Sequence, residues 1–359
     1  MTTFLEISRA SMHEAEMVTL APAELQEHQV RISVDRFGIT ANNITYGVFG
    51  VAMKYWDFFP ASQPEAGRLP VWGFGTVTES RHPEVPVGQR MYGYWPLGTE
   101  LVVLAGRLDG RSFVDVSAHR HDLPTPYNRY IYTEQDPAYH PEREDLHILL
   151  WPLFYTSFMV EDFLDDHANY GADTAIVSSA SSKTSIGAAF LLKRRGATKV
   201  IGLTSPTHVP FAQSLGCYDE VYTYGDIESI ALSTAVYVDV SGNRDVMQRV
   251  HHHWNEKLAY SMFVGDTHWD ATSTLSLPPV GPKPEFLFAP VQMAKRIKDW
   301  GRDEMERRVV ETWHEFTAWS SAWLTPIDTD GPEALLAAYH DVLNGRVGPT
   351  VGIVGHFSA

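Results

Sequence analysis

Residues 178–187, Ser-Ser-Ala-Ser-Ser-Lys-Thr-Ser-Ile-Gly, put six hydroxyls into ten positions where an apolar run gives way to a helical pattern. Small residues let the backbone approach a ligand closely. A helix start leaves N–H groups unpaired with a partial positive charge, which stabilises a phosphate. Ser179, Ser181, Ser182, Lys183, Thr184, Ser185, Ile186 and Gly187 are the candidate contacts. A serine-rich helix cap without a ligand fits the same residues. The segment is not G-x-G-x-x-G: Gly187 is present, but serines hold the earlier positions. The P-loop reading fits poorly, because Val177 and Ser182 stand where both its glycines belong, although Ser182-Lys-Thr184 resembles its end.

The next apolar run ends in Leu203-Thr-Ser-Pro-Thr-His208. A carboxylate there would chelate the ribose 2′-hydroxyl of NAD, whereas hydroxyls and a histidine tolerate the 2′-phosphate of NADP. Lys183, Ser205 and His208 are its candidate contacts, with a solvated lysine and an ordinary loop histidine as the plain alternative, and Thr204 is a further candidate for cofactor binding. The run His251-His-His253 tempts a metal reading. Consecutive helical residues diverge by about 100°, so the three cannot face one ion, and no H-E-x-x-H spacing is present; no metal site is expected. With Cys217 the single cysteine, neither an intrachain disulfide nor a zinc site of several thiolates can form. Asp266-Thr-His-Trp-Asp270 follows a predicted strand and either lines a cofactor crevice or caps a turn.

These residues need elements to position them. A chain of 359 residues and 40.3 kDa is long enough for two domains. Lys and Arg number 28 against 44 Asp and Glu, a formal charge of 28 − 44 = −16, which argues against nucleic acid as partner while leaving local anion binding open. No basic, apolar leader begins the chain and no run reaches the ~18 apolar residues of a membrane span, so a soluble cytoplasmic protein without a membrane partner is expected. Residues 28–36, 71–79, 89–94 and 101–104 read as strands of a mostly antiparallel domain. From 108 to 145 no period is visible. Thereafter strands at 174–179, 199–204, 220–224, 235–240 and 260–264 alternate with helices at 184–195 and 206–215, the pattern of a parallel sheet covered by helices. A long helical region spans 292–322, then a helix at 333–343 and a strand at 350–354. Tryptophans at 300, 313, 319 and 323 fit core packing better than a pocket or a dimer contact.

In this order the segments resemble the medium-chain dehydrogenase/reductase superfamily, its zinc-independent quinone and enoyl reductase branch and, more narrowly, a subgroup of unassigned function. The resemblance rests on Phe37-Gly-Ile-Thr-Ala-Asn-Asn-Ile-Thr-Tyr46, on Pro86-Val-Gly-Gln-Arg-Met-Tyr-Gly93 and on Thr156-Ser-Phe158. It rests also on Ser214-Leu-Gly-Cys-Tyr-Asp-Glu-Val221, Asp239-Val-Ser-Gly242 and Phe263-Val-Gly-Asp266. It implies an α/β chain with a GroES-like β-barrel catalytic domain from 1–150, completed by 290–359, and a Rossmann-type doubly wound parallel sheet over 151–289. It also implies NADP(H) as cofactor, a small-molecule substrate and a homodimer, with Tyr224, Ser241 and Gly265 as further cofactor contacts. Gly73-Phe74 stands where zinc-dependent members carry His-Glu, and Thr45 replaces the Asp of the "N…D" segment.

Without a metal, hydride transfer needs a placed donor for the oxygen that gains charge. Asn42 and Asn43 are candidates to hold the carboxamide or substrate oxygen, and Thr156 to meet the nicotinamide as its family counterpart does. Tyr46 is the preferred hydroxyl donor, with Tyr55, Tyr94 and Tyr155 as competitors and a buried barrel tyrosine as the plain alternative. The expected activity is a zinc-independent, NADPH-dependent reduction of an enone, quinone or enoyl-type substrate. Direct carbonyl reduction is the enzymatic rival, and a non-catalytic dinucleotide-binding protein of reductase fold is the rival of another class.

Overall fold

The computed structural model describes residues 1–264 and 280–358. The chain divides into two compact units, Met1–Leu149 with Ser320–Ala359, and Leu150–Trp319. The bounds differ from the expected ones at the carboxyl end: residues 290–319 belong to the second unit, not the first. Trp313 and Phe316 pack on Phe154, with ring centres 5.2 and 5.0 Å away, and Arg296 is paired with Asp162 at 2.8 Å, so aromatic packing and a buried ion pair hold these helices there. Trp313 is thus a core residue, while Trp300 lies beneath the guanidinium groups of Arg296 and Arg308.

In the first unit six antiparallel strands close a barrel. Their order is Gln29–Ile39, Pro70–Ser80, Arg90–Pro96, Arg129–Tyr132, Ser112–Asp115, Glu100–Gly106 and back to Gln29–Ile39. Two of them arise within residues 108–145, the stretch in which the sequence shows no period: Ser112–Asp115 is buried at every position, which masks alternation, and Arg129–Tyr132 alternates but over only four residues. That stretch is pinned by a fully buried ion pair, Arg120 to Asp115 at 3.1 Å, with the guanidinium 4.7 Å over Phe59. Arg120 also donates to the Tyr130 hydroxyl, which donates to the Tyr94 carbonyl. At the chain's end Val351–His356 pairs antiparallel with Gln29–Ile39, and the helix Pro332–Leu343 sends Leu335 and Tyr339 into the barrel core.

In the second unit the described strands form a parallel sheet ordered Glu220–Thr223, Lys199–Thr204, Thr174–Val177, Ala235–Asp239, Leu258–Phe263, Glu285–Phe286. The chain starts in the middle, builds outward to one edge, then returns to build toward the other. This is the doubly wound order, and its reversal lies between Thr174–Val177 and Ala235–Asp239, where such sheets bind ligands at the strands' carboxyl ends. The architecture, a closed barrel and a Rossmann-type sheet, is the one expected. The helical region predicted at 292–322 is two helices, Ala289–Trp300 and Arg302–Ser320, divided at Gly301, whose φ of 85° ends the first.

Candidate functional site

In the second unit, the Thr174–Val177 strand leads through Ser178–Ser182 into the helix Lys183–Arg195. Four serines hold the turn's shape. The Ser178 hydroxyl donates to Asp239 Oδ1 at 2.7 Å and accepts from the Val240 and Ser241 N–H groups, tying together the two strand ends that flank the reversal. Ser179 adopts the left-handed region at φ 53°, where a side chain is costly, and its N–H donates to the Tyr224 hydroxyl at 3.1 Å. Ser182 is the N-cap, its hydroxyl accepting from the Ser185 N–H. Ser185, fully buried, donates to the Ser178 carbonyl.

Ser179, Ser181, Ser182, Lys183 and Thr184 are partly exposed on this turn. Ile186 and Gly187, expected among the phosphate contacts, are instead buried within the helix. The Ile186 N–H already serves the Ser182 carbonyl, and a Cβ on Gly187 would lie 2.6 Å from Ser157 Oγ, so that glycine serves close helix packing. Burial pulls the Lys183 ammonium down to about 8. Beyond the Lys199–Thr204 strand, His208 Nδ1 shares hydrogen bonds with Ser181 Oγ at 3.0 Å and Ser205 Oγ at 3.3 Å, and Thr204 Oγ1 lies 3.4 Å from Ser181 Oγ. These four residues form one hydroxyl-and-imidazole cluster with no acid in it. Ser241 is bonded through its N–H and hydroxyl to Asp239 Oδ1. Thr156 is half-buried on the helix Glu144–Asp166, next to Ser157, whose hydroxyl donates to the Thr184 carbonyl at 2.7 Å. Gly265 and the segment 266–270 lie outside the described residues.

The three histidines diverge as their spacing requires. His251 is buried, bonded to Ser261 Oγ and to the Val280 carbonyl; His253 bonds the Ile230 carbonyl; His252 is exposed. Among the described residues no three His, Cys, Asp or Glu side chains gather where they could share a metal ion.

In the first unit the helix Ala41–Val48 carries Asn42, Asn43 and Tyr46. Asn43 is a capping residue: its oxygen accepts from the Thr40 N–H and hydroxyl, and its amide nitrogen donates to the Pro70 carbonyl at 2.9 Å. Its amide is thus engaged at both ends, which removes it from the substrate-holding role foreseen for it. Asn42, one turn before Tyr46, donates to the Tyr46 oxygen at 2.8 Å. Trp72 Nε1 donates to the same oxygen at 2.9 Å. The phenol stands in a cluster of rings: Tyr55 at 4.7 Å between centres, Tyr94 at 5.3 Å and Tyr127 at 6.4 Å. Burial raises Tyr46 well above the ordinary tyrosine range although both N–H donors pull it down. Of the competing tyrosines, Tyr55 and Tyr94 belong to this cluster and Tyr155 to the second unit. Trp72 and Tyr127 went unread in the sequence. Trp72 meets Tyr46 across 26 positions through strand register, and Tyr127 lies in the stretch without a period, so neither carries a local signal.

The chain belongs to the family described as "Protein of unknown function (DUF2855)", whose model matches residues 37–348. No curated protein matches its sequence. Among solved structures it is similar to CurA in complex with NADPH from Vibrio vulnificus, at 13% identity over 100% of both chains with a TM-score of 0.62. It is similar also to the yhdH oxidoreductase from Salmonella enterica in complex with NADP, at 15% identity over 100% of both chains and a TM-score of 0.55. The CurK enoyl reductase matches at 12% identity over 99% of each chain, with a TM-score of 0.58. At these identities the likeness is one of fold: a closed β-barrel unit and a unit with a Rossmann-type parallel sheet.

Proposed function

We propose that this protein is an NADPH-dependent, zinc-independent reductase of a planar conjugated carbonyl compound: an enone, a quinone or an enoyl-type substrate. The observation that carries the reading is the hydroxyl-rich turn at the sheet's reversal point, with an acid-free cluster after the second strand. The residues suit a dinucleotide: Ser181 and Thr184 would hold the diphosphate with the helix's first N–H groups, while Tyr224 and Ser241 flank the turn. Lys183, Ser205 and His208 would take the 2′-phosphate, for which an acidic residue would be the wrong partner. NADPH, when bound, supplies a hydride to an electrophilic carbon. The protein's share is to bind, to orient and to deliver a proton to the oxygen that becomes negative, with Thr156 assigned to orienting the nicotinamide. Tyr46 is assigned that proton: burial keeps its hydroxyl protonated, and two N–H groups stand ready for the charge left on its oxygen.

The relatives of like fold crystallised with NADPH or NADP support the cofactor assignment, and an enoyl reductase among them supports the substrate class. A second reading, a dinucleotide-binding protein without turnover, is favoured by one observation: Ser178, Ser182 and Ser185 use their hydroxyls on the turn itself. Fluorescence titration with NADPH and NADH, followed by NADPH consumption with a panel of enones, quinones and enoyl thioesters, tests both. Tighter binding of NADPH than NADH and consumption with at least one acceptor are expected. Binding without consumption by any acceptor selects the second reading. Failure of both nucleotides to bind at about millimolar concentration, far weaker than ordinary cofactor affinities, overturns both.

A further inference from the structure

The phenol oxygen of Tyr46 has two acceptor positions and one proton. An indole N–H can only donate, so its 2.9 Å contact from Trp72 makes Tyr46 the acceptor there without ambiguity of rotor or flip. Asn42 Nδ2 occupies the second acceptor position at 2.8 Å. Among the described residues none accepts the remaining proton. Trp72 is itself held firmly. It sits opposite Tyr94 in the register between Pro70–Ser80 and Arg90–Pro96, is stacked on Tyr92 at 5.6 Å and 13°, and abuts Tyr94 and Tyr127 at 4.9 and 5.8 Å. One donor therefore comes from a barrel strand and the other from the preceding turn of Tyr46's own helix.

We propose that Trp72 is a positioning residue that, with Asn42, fills the acceptor side of the Tyr46 oxygen and so commits the Tyr46 proton to a substrate oxygen. The inference rests on the reading of Tyr46 as proton donor and adds what makes it one. As the proton passes to the substrate oxygen, the Oη–H bond breaks and its electron pair stays on the phenol oxygen. The Trp72 and Asn42 N–H groups then face a phenolate, and both hydrogen bonds strengthen as charge develops. Solvent restores the proton when product leaves. The burial that keeps Tyr46 protonated also makes it a reluctant acid, and two fixed donors are the elementary way to relieve that without admitting water. A tyrosine serving only as core packing is satisfied by one partner and does not call for two N–H donors on its oxygen.

The test replaces the N–H while keeping the ring. In the full-length protein, Trp72 is replaced by β-(3-benzothienyl)alanine, in which sulfur stands for the indole nitrogen, and in parallel by Phe. Tyr46→Phe and Asn42→Leu are the companions. Two readouts are taken: steady-state reduction of the best acceptor with NADPH, and binding of 4-nitrophenolate in the presence of NADP⁺, followed by the shift of its absorption band. Tyr46→Phe is expected to lower kcat by about 100-fold or more and to abolish the band shift. Both Trp72 variants are expected to lower kcat by about 3- to 10-fold with KM within about twofold, and to weaken 4-nitrophenolate by a like factor. If the benzothienyl variant keeps wild-type kcat and 4-nitrophenolate affinity while Tyr46→Phe loses both, the inference is wrong and the donor reading stands. If Tyr46→Phe matches wild type in both readouts, or the wild-type protein does not bind 4-nitrophenolate, the donor reading falls and takes the inference with it. Should Trp72→Phe fold poorly, the benzothienyl variant decides alone.

Discussion

At the residue scale two groups are tuned by burial in opposite senses. Burial raises the Tyr46 phenol, so as a donor it is already protonated at neutral pH and stays so beyond the ordinary tyrosine value of ~10. The kcat/KM profile of the proposed reduction should therefore show no alkaline limb from this group up to about pH 10, measured in overlapping buffers; a basic limb near 9 that vanishes in Tyr46→Phe would contradict the assignment. Burial lowers the Lys183 ammonium to about 8. Below that value the group is charged and attracts a phosphate; above it the charge is lost. NADPH affinity should fall as pH rises through about 8, and Lys183→Met should bind more weakly at pH 7 with that dependence removed, as read by fluorescence titration. The turn's chemistry was legible in the sequence, since hydroxyls and a lysine at a strand-to-helix junction announce themselves locally. Which hydroxyls remain available was not, because Ser178 and Ser185 are taken by partners that only the fold brings near.

At the element scale, close packing and one buried ion pair carry the positioning. The helix Lys183–Arg195 approaches Ser157 so nearly that a Cβ at Gly187 would stand 2.6 Å from its hydroxyl. Gly187→Ala should cost about 1–3 kcal/mol by overpacking, and removing the obstruction in the double variant with Ser157→Gly should return part of it, a coupling measurable by denaturant unfolding. Gly187 therefore looks in sequence like the surviving glycine of a phosphate motif and serves in structure as a packing contact. In the first unit, Arg120 and Asp115 are each 1% exposed, and loss of the cation alone would leave a carboxylate buried without its partner. Arg120→Met should destabilise the barrel by about 3–5 kcal/mol, far more than a surface pair would. The strands at either side of this pair were the least legible part of the fold. Period-2 alternation marks a strand with one wet face, and Ser112–Asp115 has none; the long strands Gln29–Ile39 and Pro70–Ser80, which alternate in part, were readable.

At the scale of the whole molecule the charge of −16 sets a condition that no single residue reveals. The proposed cofactor is a polyanion, so its approach is opposed by the summed field over distances of a Debye length, while its final contacts at the turn are attractive and short. The two act on different rate constants. Added salt screens the long-range repulsion first, so the association rate constant for NADPH should rise between roughly 20 and 200 mM ionic strength, where the Debye length shrinks from about 20 to about 7 Å. Contacts with Lys183 and His208 act within a few ångströms and are screened less, so the dissociation rate should change little over the same range. Stopped-flow binding at several salt concentrations separates the terms. An association rate that falls with salt would mean that a local positive field at the turn outweighs the global one, and would place more of the binding on Lys183 than on the helix start. Lys183→Met then distinguishes the cases, since removing one positive charge from a field-dominated encounter steepens the rise with salt, whereas removing it from a locally steered one turns the fall into a rise.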